Sequence, residues 1–193
     1  MSEFGTVHVA LGERGVWTRR FAWSENALRV GLPANEAEFV EKWVAAVRAD
    51  ARLKEVGILI RPHPQRLHEW KAVDLSSYPN LVFWGAHPID DEAKDDYFDS
   101  MYYSAGVVGL NTSAFLEAAI VGKPVFSILD RTISKQNQEG TIHFRYLLEV
   151  NGGLLRVASS MREHLAMLAD GLVGDGGGDD KARRFVEGFI RPY

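Results

Sequence analysis

The chain has 193 residues, of which 46% are apolar, and it has no cysteine and a net charge of −4. That length fits one domain or two small ones, and the acidic balance argues against a general nucleic-acid-binding protein, which usually has a surplus of basic residues. The lack of cysteine excludes disulfides and thiolate metal sites, no apolar run approaches the roughly 20 residues that span a bilayer, and no signal-peptide pattern opens the sequence, so we expect a cytoplasmic protein without a transmembrane segment.

The first half of the chain contains three short strand patterns and one amphipathic helix pattern. Residues 6–11 alternate in polarity and are rich in β-branched side chains, which indicates a strand. Residues 35–52 have apolar side chains at helical spacing and acidic residues near the start, which indicates a helix. Residues 56–60 form a continuous apolar run that is typical of a buried parallel strand, and residues 81–84 form another short strand.

The second half follows a regular order of helices and short strands. The helix at 91–104 is expected to bury one apolar face, formed by Tyr97, Phe98, Met101 and Tyr102. Strands at 106–110 and 124–129 flank a helix at 112–121, which Gly122 ends, with Pro124 just beyond it. The predicted order is completed by a polar loop at 131–140, a helix at 143–150, a strand at 153–157, a helix at 159–172, a glycine-rich linker at 174–180 and a last helix at 181–190.

This alternation predicts an α/β domain over residues 1–173, with a parallel sheet of about six strands covered by helices on both faces. The linker and the last helix, residues 174–193, would follow it. Ligands of such sheets bind at the carboxyl ends of the strands. The polar turns to consider are therefore those at 61–64, 85–88 and 111–113, which follow strands and should open on the same edge.

A histidine between two prolines follows the second strand, in the motif Arg61-Pro62-His63-Pro64. The prolines restrict the backbone, so the imidazole has a set direction. A histidine there can donate a hydrogen bond to a phosphate or hold a proton for a leaving phosphate. The alternative is a stiff turn whose histidine only satisfies neighbouring backbone groups.

The turn Asn111-Thr112-Ser113 lies where the fourth strand ends and a helix begins. Backbone N–H groups and the positive end of the helix dipole meet at such a point and favour a phosphate. Glu117 is four residues after Ser113, so both project from one face, and the spacing is not that of a capping box. Because apolar residues flank Glu117 in the sequence, its carboxylate should need a partner, either ribose hydroxyls or a structural Arg or Lys.

Other histidines and the acidic residues carry weaker signals. His87, in a second His-Pro pair, Gln138, in the loop after the fifth strand, and His143, which opens the next helix, are candidate residues of the site loops. His8, in a strand, and His164, in a helix, are expected to be structural. No spread of carboxylates typical of a dedicated metal site is present, so we predict no metal.

Taken together, Arg61-Pro62-His63-Pro64 and the segment GLNTSAFLEAAIVGKPV at 109–125 resemble the C-terminal, donor-binding half of B-type glycosyltransferases. The resemblance is to the branch with a His-Pro motif and a Ser/Thr motif. That branch includes CDP-glycerol glycerophosphotransferases, bacterial sialyltransferases and the Kdo transferases of capsule and lipopolysaccharide synthesis. It implies a Rossmann-like domain, one half of the B-type fold, and it covers residues 56–128.

The resemblance implies roles for individual residues. His63, Thr112 and Ser113 would hold the donor phosphate, with His63 as the catalytic residue, and Glu117 would hold ribose. Arg61 and Asn111, which belong to the same two motifs, complete the predicted phosphate site. Asn111 stands where the glycerophosphotransferase pattern usually has an acidic residue, so the identity of the donor stays open.

The expected ligand is a nucleotide-activated sugar or polyol of the CMP or CDP type, transferred to a polysaccharide or lipid-linked acceptor in cell-envelope synthesis. No cofactor is expected, because fixed hydrogen-bond donors would neutralise the leaving phosphate. Enzymes of this type have a second domain with the acceptor site. We therefore expect an N-terminal acceptor domain or a partner subunit, no activity without it, and a location in the cytoplasm or at the inner face of the membrane.

Three other functions stay open. One is a UDP-sugar 2-epimerase-like domain, which would need further carboxylates and histidines in the cleft. The second is a non-catalytic nucleotide- or partner-binding module. The third is a phosphate-binding regulatory domain.

Overall fold

The computed structural model describes residues 6–10, 36–62, 70, 73–84, 90–110, 112–129, 142–172 and 179–191. Within these ranges six strands form one sheet: β1 (Thr6–Ala10), β2 (Gly57–Arg61), β3 (Leu81–Phe83), β4 (Gly106–Gly109), β5 (Val125–Ile128) and β6 (Leu155–Ala158). The helices are α1 (Glu36–Ala49), α2 (Asp91–Tyr102), α3 (Ala114–Ile120), α4 (Ile142–Glu149), α5 (Met161–Leu172) and α6 (Asp180–Phe185). A 3₁₀ turn at Val150–Gly152 follows α4, and a π-helical turn at Val186–Ile190 extends α6.

The strands lie in the order β3-β2-β1-β4-β5-β6. β2 and β3 are parallel, β4, β5 and β6 are parallel, and β1 is antiparallel to both of its neighbours, β2 and β4. The predicted α/β class is confirmed, whereas the prediction of a wholly parallel, Rossmann-like sheet is wrong. The alternating sequence of β1 is the pattern of an antiparallel strand, unlike the continuous apolar run of β2, and this difference is the physical reason for the error.

The core has two parts, one on each face of the sheet. Val108 and Phe126 belong to the first part, which contains the apolar residues of α1 and α5. Their neighbours in sequence, Val107 and Val125, belong to the second part, which contains residues of α3, α4 and α6. This alternation is the two-residue period of a strand. The apolar face predicted for α1 is confirmed, since all five of its members are buried: Phe39, Val40, Trp43, Val44 and Val47.

The helix ends follow local sequence signals. The Asp90 side chain caps α2 by accepting a hydrogen bond from the Ala93 N–H at 2.8 Å. Gly122 follows the end of α3 with a φ of 75°, and the Lys123 N–H donates to the Ala118 carbonyl at 2.9 Å. This is the glycine stop that the sequence predicted, because a left-handed residue after a helix suits glycine.

The apolar face predicted for α2 is wrong in two of its four residues. Met101 is buried and Tyr97 is half-buried, but Phe98 and Tyr102 are each 48% exposed. Their rings stack on each other with centroids 5.4 Å apart. Two aromatic side chains four residues apart on a helix can cover each other, and this pair does so at the surface of α2.

The C-terminal helix packs onto the same sheet as the rest of the chain. Ala182 and Phe185 of α6 are fully buried in the second part of the core. Asp179 caps α6 and pairs with Arg156 of β6 through hydrogen bonds of 2.6 and 2.7 Å. Burial alone would raise the pKa of Asp179, but the hydrogen bonds and charge of Arg156 outweigh burial and hold that pKa below its usual range.

Residues 173–178, which contain most of the predicted linker, lie outside the described residues, so the division of the chain at 173 stays a prediction. Across the ranges that the structure describes, none of the helices has both the length and the apolar character needed to cross a membrane.

Candidate functional site

The carboxyl ends of β2 and β4 lie at the same edge of the sheet. Arg61, the last residue of β2, pairs with Thr6, and Val108 of β4 pairs with Val7. Extending the second register by one residue places Gly109 opposite Thr6, on the other side from Arg61. Since neighbouring strands are about 4.8 Å apart, the segments that follow β2 and β4 leave this edge roughly 10 Å from each other.

Arg61 is held against α2 beneath this edge. Only 4% of the residue is exposed. Its Nη1 donates to the Asp96 carbonyl at 3.3 Å and to Ser100 Oγ at 3.4 Å, and its guanidinium carbon lies 5.1 Å from the centre of the Tyr97 ring. Arg61 therefore joins the end of β2 to α2. The phosphate-binding role predicted for Arg61 stays a prediction, and its contacts with α2 add a structural role.

Tyr97 connects α2 to α3. Its hydroxyl donates a hydrogen bond to Oε2 of Glu117, while the face of its ring contacts the Arg61 guanidinium. Glu117 is exposed, so the prediction that it lies among apolar neighbours is wrong. The residues beside it in sequence, Leu116 and Ala118, face inward to different degrees, and Glu117 occupies the outer face of a short helix.

The structure describes two of the three residues of the predicted phosphate turn. Thr112 is buried, and its Oγ1 accepts a hydrogen bond of 3.3 Å from the Ala114 N–H. Ser113 is exposed and is the N-cap residue of α3, without a side-chain capping bond. Ser113 and Glu117 thus share the exposed face of α3, as the spacing of four predicted, whereas the Thr112 hydroxyl supports the turn itself.

The structure describes only some of the predicted site residues. His63, His87, Asn111 and Gln138 lie outside the described residues. His143 belongs to α4, and only its backbone position is described. Within the described ranges no three histidine or acidic side chains group as metal ligands would, which leaves the predicted absence of a metal untested. Whether His63 and Ser113 face one ligand therefore stays a prediction.

His164 has the buried position expected of a structural histidine. None of it is exposed, and its ring centre lies 6.4 Å from that of Trp43. Burial lowers the pKa of His164 from 6.5 to about 4, and the backbone of Ser127 opposes this effect more weakly. Within the described part of the chain neither ring nitrogen makes a hydrogen bond of ordinary geometry.

Sequence reasoning missed Tyr97 and Ser100 as parts of this region. Tyr97 was assigned only to an apolar helix face, although a tyrosine also has a hydroxyl that seeks a partner when it is partly buried. Ser100 donates to the Tyr97 carbonyl at 2.7 Å and accepts from Arg61, so it lines the buried side of α2. A polar residue on the inward face of a helix, opposite a strand that ends in arginine, was the available signal.

No protein-family model, curated protein or solved structure matches the chain. The resemblance to B-type glycosyltransferases therefore rests on the two motifs alone. The geometry adds that β2 and β4, the strands after which those motifs fall, end at one edge, and that Tyr97 links Arg61 of the first motif to Glu117 of the second.

Proposed function

We propose that this domain binds the nucleotide part of an activated sugar or polyol, of the CMP or CDP type, as the donor half of a glycosyltransferase or glycerophosphotransferase. The observation that carries the proposal is the contact chain Arg61–Tyr97–Glu117, which joins the end of β2 to the first turn of α3. It supports the idea that the His-Pro motif and the Ser/Thr motif serve one ligand, because it ties their elements together at a single edge of the sheet.

The proposed reaction transfers a group from the nucleotide to an acceptor hydroxyl. The acceptor oxygen forms a bond to the anomeric carbon of a sugar, or to the distal phosphorus of CDP-glycerol, and the bond from that atom to the nucleotide's phosphate oxygen breaks. The nucleotide leaves with an additional negative charge, and the acceptor proton passes to a base. His63 and the hydroxyl of Ser113, the exposed N-cap residue of α3, would stabilise that charge.

Glu117 would recognise the ribose. A carboxylate accepts hydrogen bonds at both oxygens, so the Glu117 carboxylate can bind Tyr97 at Oε2 and ribose hydroxyls at Oε1. Its exposed position on the same face as Ser113 supports this role. The acceptor site would come from a second domain or a partner subunit, at the inner face of the membrane, and activity would depend on it.

Ligand titration tests the proposal. CDP and CMP should raise the melting temperature and bind in calorimetry, with CDP at 100 times its Kd adding about 2.7 kcal/mol to the free energy of unfolding. UDP and inorganic phosphate should bind more weakly. Stronger binding of UDP would favour the epimerase-like alternative, equal binding of phosphate and CDP would favour a regulatory phosphate domain, and no binding of any nucleotide would refute the proposal.

The variant His63→Ala tests the predicted phosphate contact. It should weaken CDP binding by about tenfold or more, the size expected for a hydrogen bond to a charged group, and leave the melting temperature of the free protein unchanged. His68→Ala, a histidine outside both motifs, is the matched control and should bind CDP normally. If His63→Ala binds CDP as tightly as the wild type, His63 does not contact the phosphate and the catalytic role proposed for it is wrong.

A further inference from the structure

We infer that Tyr97 is a positioning residue, whose hydroxyl fixes the Glu117 carboxylate for ribose and so makes the site prefer a nucleotide with both ribose hydroxyls over one that lacks them. This inference deepens the proposed function and rests on it. No sequence motif includes Tyr97. It is assigned by the contacts that its ring and hydroxyl make with Arg61 and Glu117.

The Tyr97 ring is itself held in place. The guanidinium of Arg61 lies 5.1 Å from the ring centre, and the same guanidinium donates to the Asp96 carbonyl, one residue before Tyr97 on α2. Ser100 donates to the carbonyl of Tyr97 at 2.7 Å. Since Arg61 is 4% exposed, it cannot move far without unpacking the end of β2. These contacts therefore hold the hydroxyl of Tyr97 in one position at the edge of the sheet.

Glu117 needs such a fixed partner. It is an exposed side chain on the outer face of α3, where a glutamate otherwise samples several rotamers. Binding a ligand to a mobile carboxylate loses that rotamer freedom, whereas a carboxylate already bound to Tyr97 is ordered before the ligand arrives. The hydrogen bond uses Oε2, and Oε1 has acceptor capacity for the vicinal hydroxyls of ribose.

The test compares CDP with its 2′,3′-dideoxy analogue, which keeps the base and both phosphates and lacks the ribose hydroxyls. The wild type should bind CDP about tenfold or more tightly than the analogue, the effect expected of hydrogen bonds to a carboxylate. Glu117→Gln should lose most of this preference. Tyr97→Phe, which keeps the ring over Arg61 and removes only the hydroxyl, should lower the preference several-fold and leave the affinity for the analogue unchanged.

Tyr102→Phe is the matched control, because it removes a hydroxyl from the same helix at a residue that stacks on Phe98. It should keep the wild-type preference for CDP. Equal weakening of CDP and its analogue in Tyr97→Phe would mean that Tyr97 only supports the fold, and would overturn the inference.

The outcomes also separate the inference from the proposed function. If CDP binds and Tyr97→Phe keeps the full preference, the inference fails and the proposed function stands. If the wild type binds CDP and the analogue equally, the ribose role of Glu117 and the inference fail together. If the wild type binds neither ligand, the proposed function fails and the inference with it.

Discussion

At the scale of single residues, His164 shows how burial changes the protonation of a side chain. It is fully buried beside Trp43, and the Trp43 Nε1 also lacks a hydrogen-bond partner within that part. A histidine in such surroundings stays neutral, because the charged form would lose its hydration and the backbone of Ser127 offsets that loss only in part. The folded protein should therefore resist protonation of this side chain.

Acid should destabilise the protein through His164 in a defined pH window. Its pKa falls from 6.5 to about 4 on folding, so as the pH drops below 6.5 the unfolded chain takes up the proton first. The contribution of neutral His164 to the free energy of unfolding is fully present above pH 6.5. It is lost between that pH and pH 4, and the total loss is about 3 kcal/mol. Urea unfolding at pH 7, 6, 5 and 4 measures the loss.

His164→Leu is the matched variant for this experiment. It removes the titrating group and the two buried nitrogens, so its free energy of unfolding should fall much less over the same window and should equal or exceed that of the wild type at pH 7. Equal pH dependence in the two proteins would show that other groups cause the acid effect.

The sequence predicted which helix face two candidate site residues share, but not the surroundings of those residues. The spacing of Ser113 and Glu117 correctly predicted a shared helix face. The same sequence suggested that Glu117 was surrounded by apolar residues, because adjacency in sequence does not show which side of a seven-residue helix meets the core. The Tyr97 contact was unpredictable for a different reason: α2 and α3 are separate helices, and their relative placement is set by the face of the sheet on which both of them pack.

At the scale of secondary-structure elements, Gly109 controls how α3 begins. A Cβ at this position would lie 2.6 Å from Phe115 Cε1 and 2.9 Å from Thr112 Cγ2. The first turn of α3 therefore packs directly on the end of β4, in the space that glycine leaves. The backbone of Gly109 is not left-handed, so its conformation does not require glycine. The close approach of the Phe115 ring to this backbone explains why glycine occupies the position.

Gly109→Ala should destabilise the protein by about 1–3 kcal/mol through overpacking. Adding Phe115→Leu should relieve the clash, so the double variant should be more stable than the sum of the two single changes predicts, by about 1 kcal/mol. Denaturant unfolding of the four proteins gives this coupling energy. Strict additivity would indicate that the ring of Phe115 is not what excludes a methyl group at 109.

Element boundaries were predicted closely where a chemical signal marks them. The Gly122 stop of α3 lies where the sequence placed it, and the helix predicted at 35–52 is observed at Glu36–Ala49. The apolar face of α2 was predicted less well, because helical spacing identifies which residues share a face and not whether a neighbour covers it. Phe98 and Tyr102 share a face, but that face is at the surface.

At the scale of the whole molecule, a substitution in the C-terminal helix can show whether this helix unfolds together with the sheet. Phe185→Ala removes a fully buried ring from the second part of the core and should cost about 3–5 kcal/mol. If α6 belongs to the same unit as the sheet, calorimetry should show a single transition that moves to lower temperature.

Phe189→Ala is the control, since Phe189 lies in the same C-terminal segment and is 39% exposed. It should cost much less than Phe185→Ala. If the main transition of Phe185→Ala has the same midpoint temperature as that of the wild type, α6 unfolds separately from the sheet. That result would support the predicted boundary near residue 173.

The order of elements along the chain was predictable, whereas the direction of the first strand in the sheet was predicted wrongly. In the described ranges after residue 56, the predicted strands and helices follow one another in the predicted order. β1 is separated from β2 by a long segment, so connection rules for adjacent parallel strands do not fix its direction. Only its alternating sequence carried that information.

The reversed first strand also affects how the protein reaches its native state. β2 and β4 do not pair with each other, so the main-chain ladder between the two parallel groups passes entirely through five residues near the start of the chain. Val7 pairs with Val108, which is far from it in the sequence. Contacts between distant parts of a sequence form slowly. We therefore expect that the two groups of parallel strands form separately and are joined late by insertion of β1, although β1 precedes the other five strands in the sequence.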